Sequence, residues 1–126
     1  MLKVLIIDDD DIVLLVERKM LQRCLISTEP LSFKGGKQAL EYLKETNDNE
    51  DVLILLDINM PQMNGYEVCR RLKADPKTQN VPVVMCSSKG EEFDRYWGMK
   101  QGADAYVVKP FQPKELVATV KQLLKG

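Results

Sequence analysis

Residues 4–11 read VLIIDDDD, a short apolar run that gives way at once to four aspartates. The run Val4–Ile7 does not alternate apolar with polar residues, which is typical of a parallel strand that is buried on both faces. Two further runs of this kind lie at residues 52–56 and 81–86. We therefore predict three central strands, the first of which ends where a cluster of carboxylates begins.

Two weaker strand candidates complete the sheet. Leu31–Phe33 follows Pro30, and Ala105–Val108 follows the turn at residues 102–104. Proline cannot donate a ladder hydrogen bond, so a strand next to it is best placed at the edge of a sheet. We predict that both candidates are edge strands.

Apolar residues at helical spacing separate the strands. They are Val13, Val16, Met20 and Cys24, then Ala39, Leu40 and Leu43, then Val68, Cys69 and Leu72, then Phe93 and Trp97, and finally Leu116, Val120, Leu123 and Leu124. Asn64 is in the position of an N-cap, with Glu67 three residues later. About 25 residues per strand–helix unit leave room for the crossovers that parallel strands require. We predict an α/β fold, a flavodoxin-like (βα)5 doubly wound open sheet with strand order 2-1-3-4-5.

Length and composition limit the class of protein. A chain of 126 residues with 44% hydrophobic and 29% charged residues suits one domain, expected over residues 1–126 without an effector domain. Eighteen basic and nineteen acidic side chains give a net charge of −1, so a nucleic-acid contact is not expected. The chain has no histidine, which removes imidazole as a base or metal ligand.

The apolar run at the N-terminus and the cysteines both indicate location. Val4–Ile7 is far shorter than a membrane span of about 20 residues, so we expect a cytoplasmic protein without a membrane contact. Cys24, Cys69 and Cys86 have no C-x-x-C spacing and lie among apolar residues. We predict that all three are reduced thiols in the core; a metal or redox role is the alternative.

The strand ends carry the candidate chemistry. In the predicted order, strands 1 and 3 are neighbours at the point where ligands of such sheets bind, so Asp8 and Asp9 lie near Asp57. Carboxylates without histidine or cysteine favour a hard divalent cation, with Mg²⁺ the physiological choice. Asp10 and Asp11 are better explained as the start of a helix, where acids cap the N–H groups and favour the dipole.

Strands 4 and 5 end in polar residues as well. Ser87 and Ser88 close strand 4, and Lys109 and Pro110 close strand 5. A carboxylate, a divalent cation, a hydroxyl and an ammonium group together suit a phosphoryl group, whose oxygens need positive charge and hydrogen-bond donors.

The segments LIIDDDD, LLDINMP, VVMCSS and YVVKPF resemble, in order and spacing, the receiver domain of two-component response regulators. The resemblance covers essentially the whole chain, and single-domain chemotaxis and twitching-motility regulators are the most similar. It implies that Asp57 accepts a phosphoryl group and that Asp9 and Asp57 bind Mg²⁺ with the backbone carbonyl of Asn59. It also implies that Asp8 supports a metal-bound water.

The resemblance implies a switch next to this site. Ser87 would bind one phosphoryl oxygen and Lys109 another. Tyr106 matches the aromatic residue that changes rotamer on activation, and the Lys109–Pro110 bond resembles one that is cis in the family.

Partners follow from the same resemblance. A sensor histidine kinase or a histidine phosphotransfer protein would supply the phosphoryl group, and a downstream protein would bind at helix 4, strand 5 and helix 5. The protein would be a monomer that dephosphorylates itself and turns over no independent substrate, hence not an enzyme in the usual sense. On helix 4 we expect Phe93 in the core and Trp97 partly exposed.

Three other functions are possible. A small Mg²⁺-dependent phosphatase of the haloacid-dehalogenase type would use Asp8 as nucleophile and Asp10 as acid, although Asp57 then lies on the wrong strand. An unphosphorylated receiver-like scaffold would leave the acidic residues unused. A flavodoxin-like FMN-binding function is the weakest of these alternatives, because the loop after strand 1 is acidic, whereas a loop that binds the FMN phosphate would be rich in Gly, Ser and Thr.

Overall fold

The structure, a computed structural model, describes residues 2–24, 28–46 and 51–125. Strands and helices alternate along the chain. The strands are β1 (Leu2–Ile7), β2 (Thr28–Phe33), β3 (Val52–Asp57), β4 (Val83–Ser87) and β5 (Ala105–Val108). The helices are α1 (Asp11–Cys24), α2 (Gly36–Glu45), α3 (Gly65–Ala74), α4 (Glu92–Lys100) and α5 (Pro113–Lys125).

The five strands form one parallel sheet in the order β2-β1-β3-β4-β5, which confirms the predicted fold. Three strands begin at residues other than the predicted ones, and the first of them, β1, begins at Leu2 rather than Val4. β2 begins at Thr28 and includes Pro30, which an edge strand tolerates because one of its sides needs no partner. β4 begins at Val83, and Val81 is instead a buried loop residue whose carbonyl accepts a hydrogen bond from Lys73.

The core lies on both faces of the sheet, because successive strand residues point to opposite sides. In β1, Leu5 and Ile7 pack with residues of α2 and α3, whereas Val4 and Ile6 pack with residues of α1 and α5. This arrangement covers the central strands completely, and β3 is buried along its whole length. The polar ends of these strands are therefore held by a rigid layer.

The predicted buried face of α1 was right only in part: Val13 and Met20 are half-buried, and Met20 packs against the core. Leu14, Glu17 and Leu21 are buried, whereas Val16 is 52% exposed. Asp10 caps the helix: its Oδ1 accepts hydrogen bonds from the backbone N–H of Ile12 at 2.8 Å and of Val13 at 3.3 Å. Apolar spacing did not predict the buried face of α1, because a glutamate lies in the middle of that face.

Helix α4 also differs from the prediction. Phe93 is 71% exposed, so its assignment to the core was wrong, whereas Trp97 is 41% exposed, as predicted. The buried residue of α4 is Gly98, which packs against Tyr106 and Met85. Phe93 precedes Gly98 by five residues, about 140° around the helix, so it points away from the sheet.

The remaining helices and the cysteines agree with the sequence in most respects. The apolar residues of α2 and α3 pack in the core, and Asn64 caps α3 by accepting a hydrogen bond from Glu67 N at 3.0 Å. Leu116 and Val120 of α5 are buried, Leu123 is half-buried and Leu124 is exposed. All three cysteines are free; Cys69 and Cys86 are buried, but Cys24 is exposed because α1 turns it outward, so its prediction as a core thiol was wrong.

Within the residues that the structure describes, no helix is both long enough and apolar enough to cross a membrane.

Candidate functional site

Three carboxylates meet at the carboxyl ends of β1 and β3. One oxygen each from Asp8, Asp9 and Asp57 lies within 4.8 Å of the others. The parallel pairing of Ile7 with Leu56 produces this cluster, because the next residue along each strand is an aspartate. Asp8 is 3% exposed and Asp57 is 9% exposed, whereas Asp9 lies at the surface. The prediction of an acidic cluster at this edge is confirmed.

Lys109 joins two of these carboxylates. Its Nζ lies 2.8 Å from Asp8 Oδ2 and 3.0 Å from Asp57 Oδ1. The residue directly follows β5, and its backbone N–H donates to the carbonyl of Ser87 at 2.8 Å, which ties this loop to the end of β4. A long side chain anchored there reaches across β4 to the acids of β1 and β3.

The charged groups at the site change one another's pKa values. Burial raises the pKa of Asp57 above its usual value, and the negative charges of Asp8 and Asp9 add to this, while Lys109 partly offsets both. Burial alone lowers the pKa of Lys109, but its hydrogen bonds to Asp8 and Asp57 outweigh that effect and raise it. Lys109 therefore stays protonated and holds Asp57 in a fixed orientation.

Asp10 and Asp11 have other partners, as the sequence predicted. Asp10 caps α1, and its backbone N–H donates to Asp8 Oδ1 at 2.9 Å, so it also fixes the Asp8 side chain. Asp11 lies at the surface, 3.1 Å from Lys34 Nζ. Only the first two of the four aspartates, Asp8 and Asp9, belong to the cluster.

The hydroxyl predicted at the end of β4 is present and buried. Ser87 is 2% exposed, and its Oγ accepts a hydrogen bond from the backbone N–H of Lys89 at 3.1 Å. Ser88 is exposed. Ser87 is therefore the buried hydroxyl of the pair, because it is the last residue of β4 whereas Ser88 follows in the exposed loop.

Tyr106 of β5 is connected to the same loop. Its hydroxyl donates to the carbonyl of Lys89 at 2.7 Å, and the guanidinium carbon of Arg95 lies 5.7 Å from the ring centroid. The Lys109–Pro110 peptide bond is cis, as the resemblance implied. Asn59 lies two residues beyond Asp57 and is exposed.

Gly65 lets α3 begin directly against the acidic residue of β3. A Cβ at this position would clash with the carbonyl oxygen of Asp57 and with Cα of Ile58. From the sequence, Asn64 and Gly65 were predicted only to begin a helix. The contact shows that the glycine also keeps backbone close to Asp57.

Glu17 is the residue near the site that sequence analysis missed. It is 5% exposed, and burial raises its pKa to about 7; Lys109 lowers the pKa, and Asp8 and Asp57 raise it. With Lys109, it lines a cavity of about 200 Å³ between α1 and the segment after β5. A signal existed in the spacing of Leu14, Glu17 and Leu21 on one helical face, but only for a search that admits a polar residue there.

The donor set fits a hard divalent cation. The three carboxylates outnumber the single ammonium group of Lys109, and like charges this close are costly unless a cation or a proton neutralises them. All the ligand atoms are oxygens, which suits Mg²⁺ better than a softer metal. Lys109 and Ser87 supply donors for an anionic group at the same edge.

Comparisons with known proteins agree with this geometry. The chain matches the response regulator receiver domain family over residues 4–121. It is 38% identical over 123 residues to the transcriptional regulatory protein SrrA of Staphylococcus aureus, covering 98% of this chain and 48% of that protein. A putative response regulator from Chloroflexus aurantiacus has a TM-score of 0.88 at 30% identity, and chemotaxis protein CheY4 of Vibrio cholerae 0.85 at 26%, each covering 98% of both chains.

The parallel sheet and its acidic edge thus place the protein among α/β signalling domains. The family match extends over nearly all of the chain, which belongs to the response regulator receiver domain family. The chain spans about half the length of the curated relatives it matches. Neither the phosphatase nor the FMN-binding alternative gains support from these comparisons.

Proposed function

We propose that this protein accepts a phosphoryl group on the Asp57 carboxylate and that the modification switches a protein-binding surface. The observation that carries the proposal is the position of Asp57. Its Oδ1 is 3.0 Å from the ammonium group of Lys109, and it shares a cluster 4.8 Å across with Asp8 and Asp9. A nucleophilic carboxylate, acidic metal ligands and a fixed cation are the parts that phosphoryl transfer needs.

The donor would be a phosphohistidine of a sensor histidine kinase or a histidine phosphotransfer protein. A carboxylate oxygen of Asp57 attacks phosphorus in line, and the imidazole nitrogen leaves with the electron pair of the broken bond. Lys109 stays bound near the acceptor and donates to a phosphoryl oxygen. Asp57 must be ionised to attack, and Lys109 favours that ionised form against the effect of burial.

Mg²⁺ would be held by Asp9, Asp57 and the backbone carbonyl of Asn59, with Asp8 acting through a bound water. When bound, it supplies positive charge for the non-bridging oxygens of the transferred group. Water attacking the acyl phosphate at the same site returns Asp57 to its free form. The protein then resets itself and turns over no independent substrate.

The switch would run from Ser87 to Tyr106. A phosphoryl group adds a charge of about −1.5 to −2, and the Ser87 hydroxyl is the buried donor at the end of the neighbouring strand. The same loop accepts the Tyr106 hydroxyl bond at the carbonyl of Lys89. A change at Ser87 therefore reaches β5 and α4 first, and we place the docking of a downstream protein on α4, β5 and α5.

Exposed aromatic residues on α4 support this output surface. Phe93, Tyr96 and Trp97 are 71%, 59% and 41% exposed. Aromatic side chains are enriched where proteins bind one another.

A monomeric state, a single-domain organisation over residues 1–126 and a cytoplasmic location stay predictions.

Acetyl phosphate with Mg²⁺ tests the proposal directly. We expect mass spectrometry of the intact protein to show one added phosphoryl group that alkali removes, and Asp57→Asn to abolish it. Asp11→Asn is the matched control, because Asp11 is exposed and bound to Lys34, and it should be modified like the wild type.

Two outcomes contradict the proposal. A modification that survives alkali or persists in Asp57→Asn places the phosphoryl group on another residue. An unmodified wild-type protein, with both acetyl phosphate and a phosphorylated histidine phosphotransfer protein as donors, favours the scaffold instead.

A further inference from the structure

The ring of Tyr106 occupies space that a side chain on α4 would otherwise fill. An ideal Cβ at Gly98 would lie 2.9 Å from Cδ2 and 3.1 Å from Cε2 of this ring. It would also lie 3.1 Å from Sδ of Met85, which is fully buried on the neighbouring strand. A methyl group at residue 98 is therefore compressed from two sides, and the ring is the neighbour that can move away by rotating about χ1.

Arg95 contacts the same ring from one turn earlier in α4. Its guanidinium carbon is 5.7 Å from the ring centroid, within the range of a cation–π interaction. Residues three apart lie on the same side of a helix, so Arg95 and Gly98 both face the Tyr106 ring. Arg95 itself is exposed, and its replacement leaves the core intact.

The hydroxyl of Tyr106 completes the attachment. It donates to the carbonyl of Lys89 at 2.7 Å, and the backbone N–H of that same residue donates to Ser87 Oγ at 3.1 Å. One residue of the β4–α4 loop thus joins the tyrosine to the hydroxyl at the end of β4. A displacement of Lys89 therefore affects both contacts.

We propose that Gly98 and Arg95 are positioning residues that form a seat for the Tyr106 ring on α4. The seat sets how often Tyr106 occupies this rotamer before any phosphoryl group is bound. This inference rests on the proposed role of Tyr106 in the switch. In this proposal the rotamer bonded to the loop after Ser87 is the signalling conformation, so the seat also favours binding of a phosphoryl group at Asp57, because coupling between two sites is reciprocal.

The experiment compares Gly98→Ala and Arg95→Ala with the wild type in the unphosphorylated state. NMR spectra of protein with ring-labelled tyrosine follow Tyr106, whose signals are assigned through Tyr106→Phe. We expect Gly98→Ala to shift the Tyr106 ring signals and Arg95→Ala to shift them less. Met99→Ala is the matched control, because this neighbour of Gly98 on α4 is an exposed side chain, 45% accessible to solvent.

The same variants are then titrated with beryllium fluoride in the presence of Mg²⁺, as a mimic of the phosphoryl group. We expect Gly98→Ala to raise the half-saturating concentration at least fivefold, the lower end of usual couplings. Arg95→Ala should raise it about two- to fivefold, as befits an exposed cation–π contact, and Met99→Ala less than twofold.

Unchanged Tyr106 signals in both Gly98→Ala and Arg95→Ala would overturn the seat. Shifted signals with an unchanged half-saturating concentration would overturn its coupling to Asp57. Arg95→Ala keeps the test decisive if Gly98→Ala fails to fold. Failure of the proposed function would be a separate result. If the wild type bound neither the mimic nor a phosphoryl group, the shifts of the Tyr106 ring signals would still test the seat by themselves.

Discussion

At the scale of single residues, the site depends on one lysine that serves two carboxylates. Lys109 bonds to Asp8 and Asp57 at 2.8 and 3.0 Å, and its side chain is 20% exposed. Removing one partner from a buried charge pair is far more damaging than the net value of the pair, because the other charge is left without compensation. Asp8 and Asp57 can therefore be nearly buried in their ionised form only while Lys109 or a metal ion balances their charge.

Glu17 leads to a prediction about pH. Its pKa is raised from 4.5 to about 7 in the folded state, so the folded protein keeps a proton that the unfolded chain has lost between these values. The stability that this proton supplies is complete below about pH 4.5 and is lost as the pH rises through about 7. In a chelator, we expect Glu17→Gln to exceed the wild type in free energy of unfolding by roughly 2–3 kcal/mol at pH 8.

Urea unfolding at pH 5 and pH 8 checks this expectation. The advantage of Glu17→Gln should fall below about 1 kcal/mol at pH 5, because the folded wild type keeps the proton there and pH 5 is only slightly above the ordinary pKa of 4.5 at which the unfolded chain loses it. Glu115→Gln, which alters an exposed glutamate on α5, should show no such dependence. An equal effect of Glu17→Gln at both pH values would show that this carboxyl does not titrate between them.

At the scale of elements, α4 is the helix with the weakest attachment to the core. Gly98 is its buried residue, and its large apolar side chains face outward. The attachment of α4 thus depends on contacts with Tyr106, Met85 and Tyr66, the last of which meets Trp97 edge-on at 6.5 Å between ring centroids. A helix held in this way can shift without exposing much of the core.

Trp97 offers a direct report of such a shift. It is the only tryptophan of the chain and is 41% exposed. We expect its emission to change when Mg²⁺ and beryllium fluoride are added, and Tyr106→Ala to reduce the change, because Tyr106 connects the site to α4. Hydrogen exchange should show altered protection between residues 91 and 122, and unaltered protection throughout that range would be incompatible with the proposed output surface.

At the scale of the whole molecule, the carboxyl end of the sheet carries more acid than Lys109 can neutralise. A cation that binds only the folded state stabilises it by mass action. We expect millimolar Mg²⁺ to raise the midpoint of thermal unfolding relative to a chelator and Asp9→Asn to reduce this gain. Asp11→Asn should leave the gain unchanged, because Asp11 is paired with Lys34 outside the cluster. Equal midpoints with Mg²⁺ and with chelator would argue against a metal site here.

The order of the strands and the acidic cluster were predictable from the sequence for a physical reason. Short continuous apolar runs rich in β-branched residues are typical of strands buried on both faces in the centre of a parallel sheet, and such a sheet needs a crossover, usually a helix, between successive strands. The residues that end neighbouring strands must then meet at one edge, which brought Asp8 and Asp57 together in the prediction and in the structure. Local capping was equally readable, since the N-cap contacts of Asp10 and Asn64 involve residues two or three positions away.

Other features were decided only by the tertiary structure. The buried face of α1 depends on how the helix packs on the sheet, and so the burial of Glu17 and the exposure of Cys24 could not be read from apolar spacing. The outward turn of Phe93 depends on a close contact between Gly98 and Tyr106, which belong to different elements. The sequence therefore determined the pattern of strands, helices and caps, since local spacing and backbone chemistry specify those. Packing between distant segments determined which side of each helix is buried, because that side must fit the residues of the sheet against which it packs.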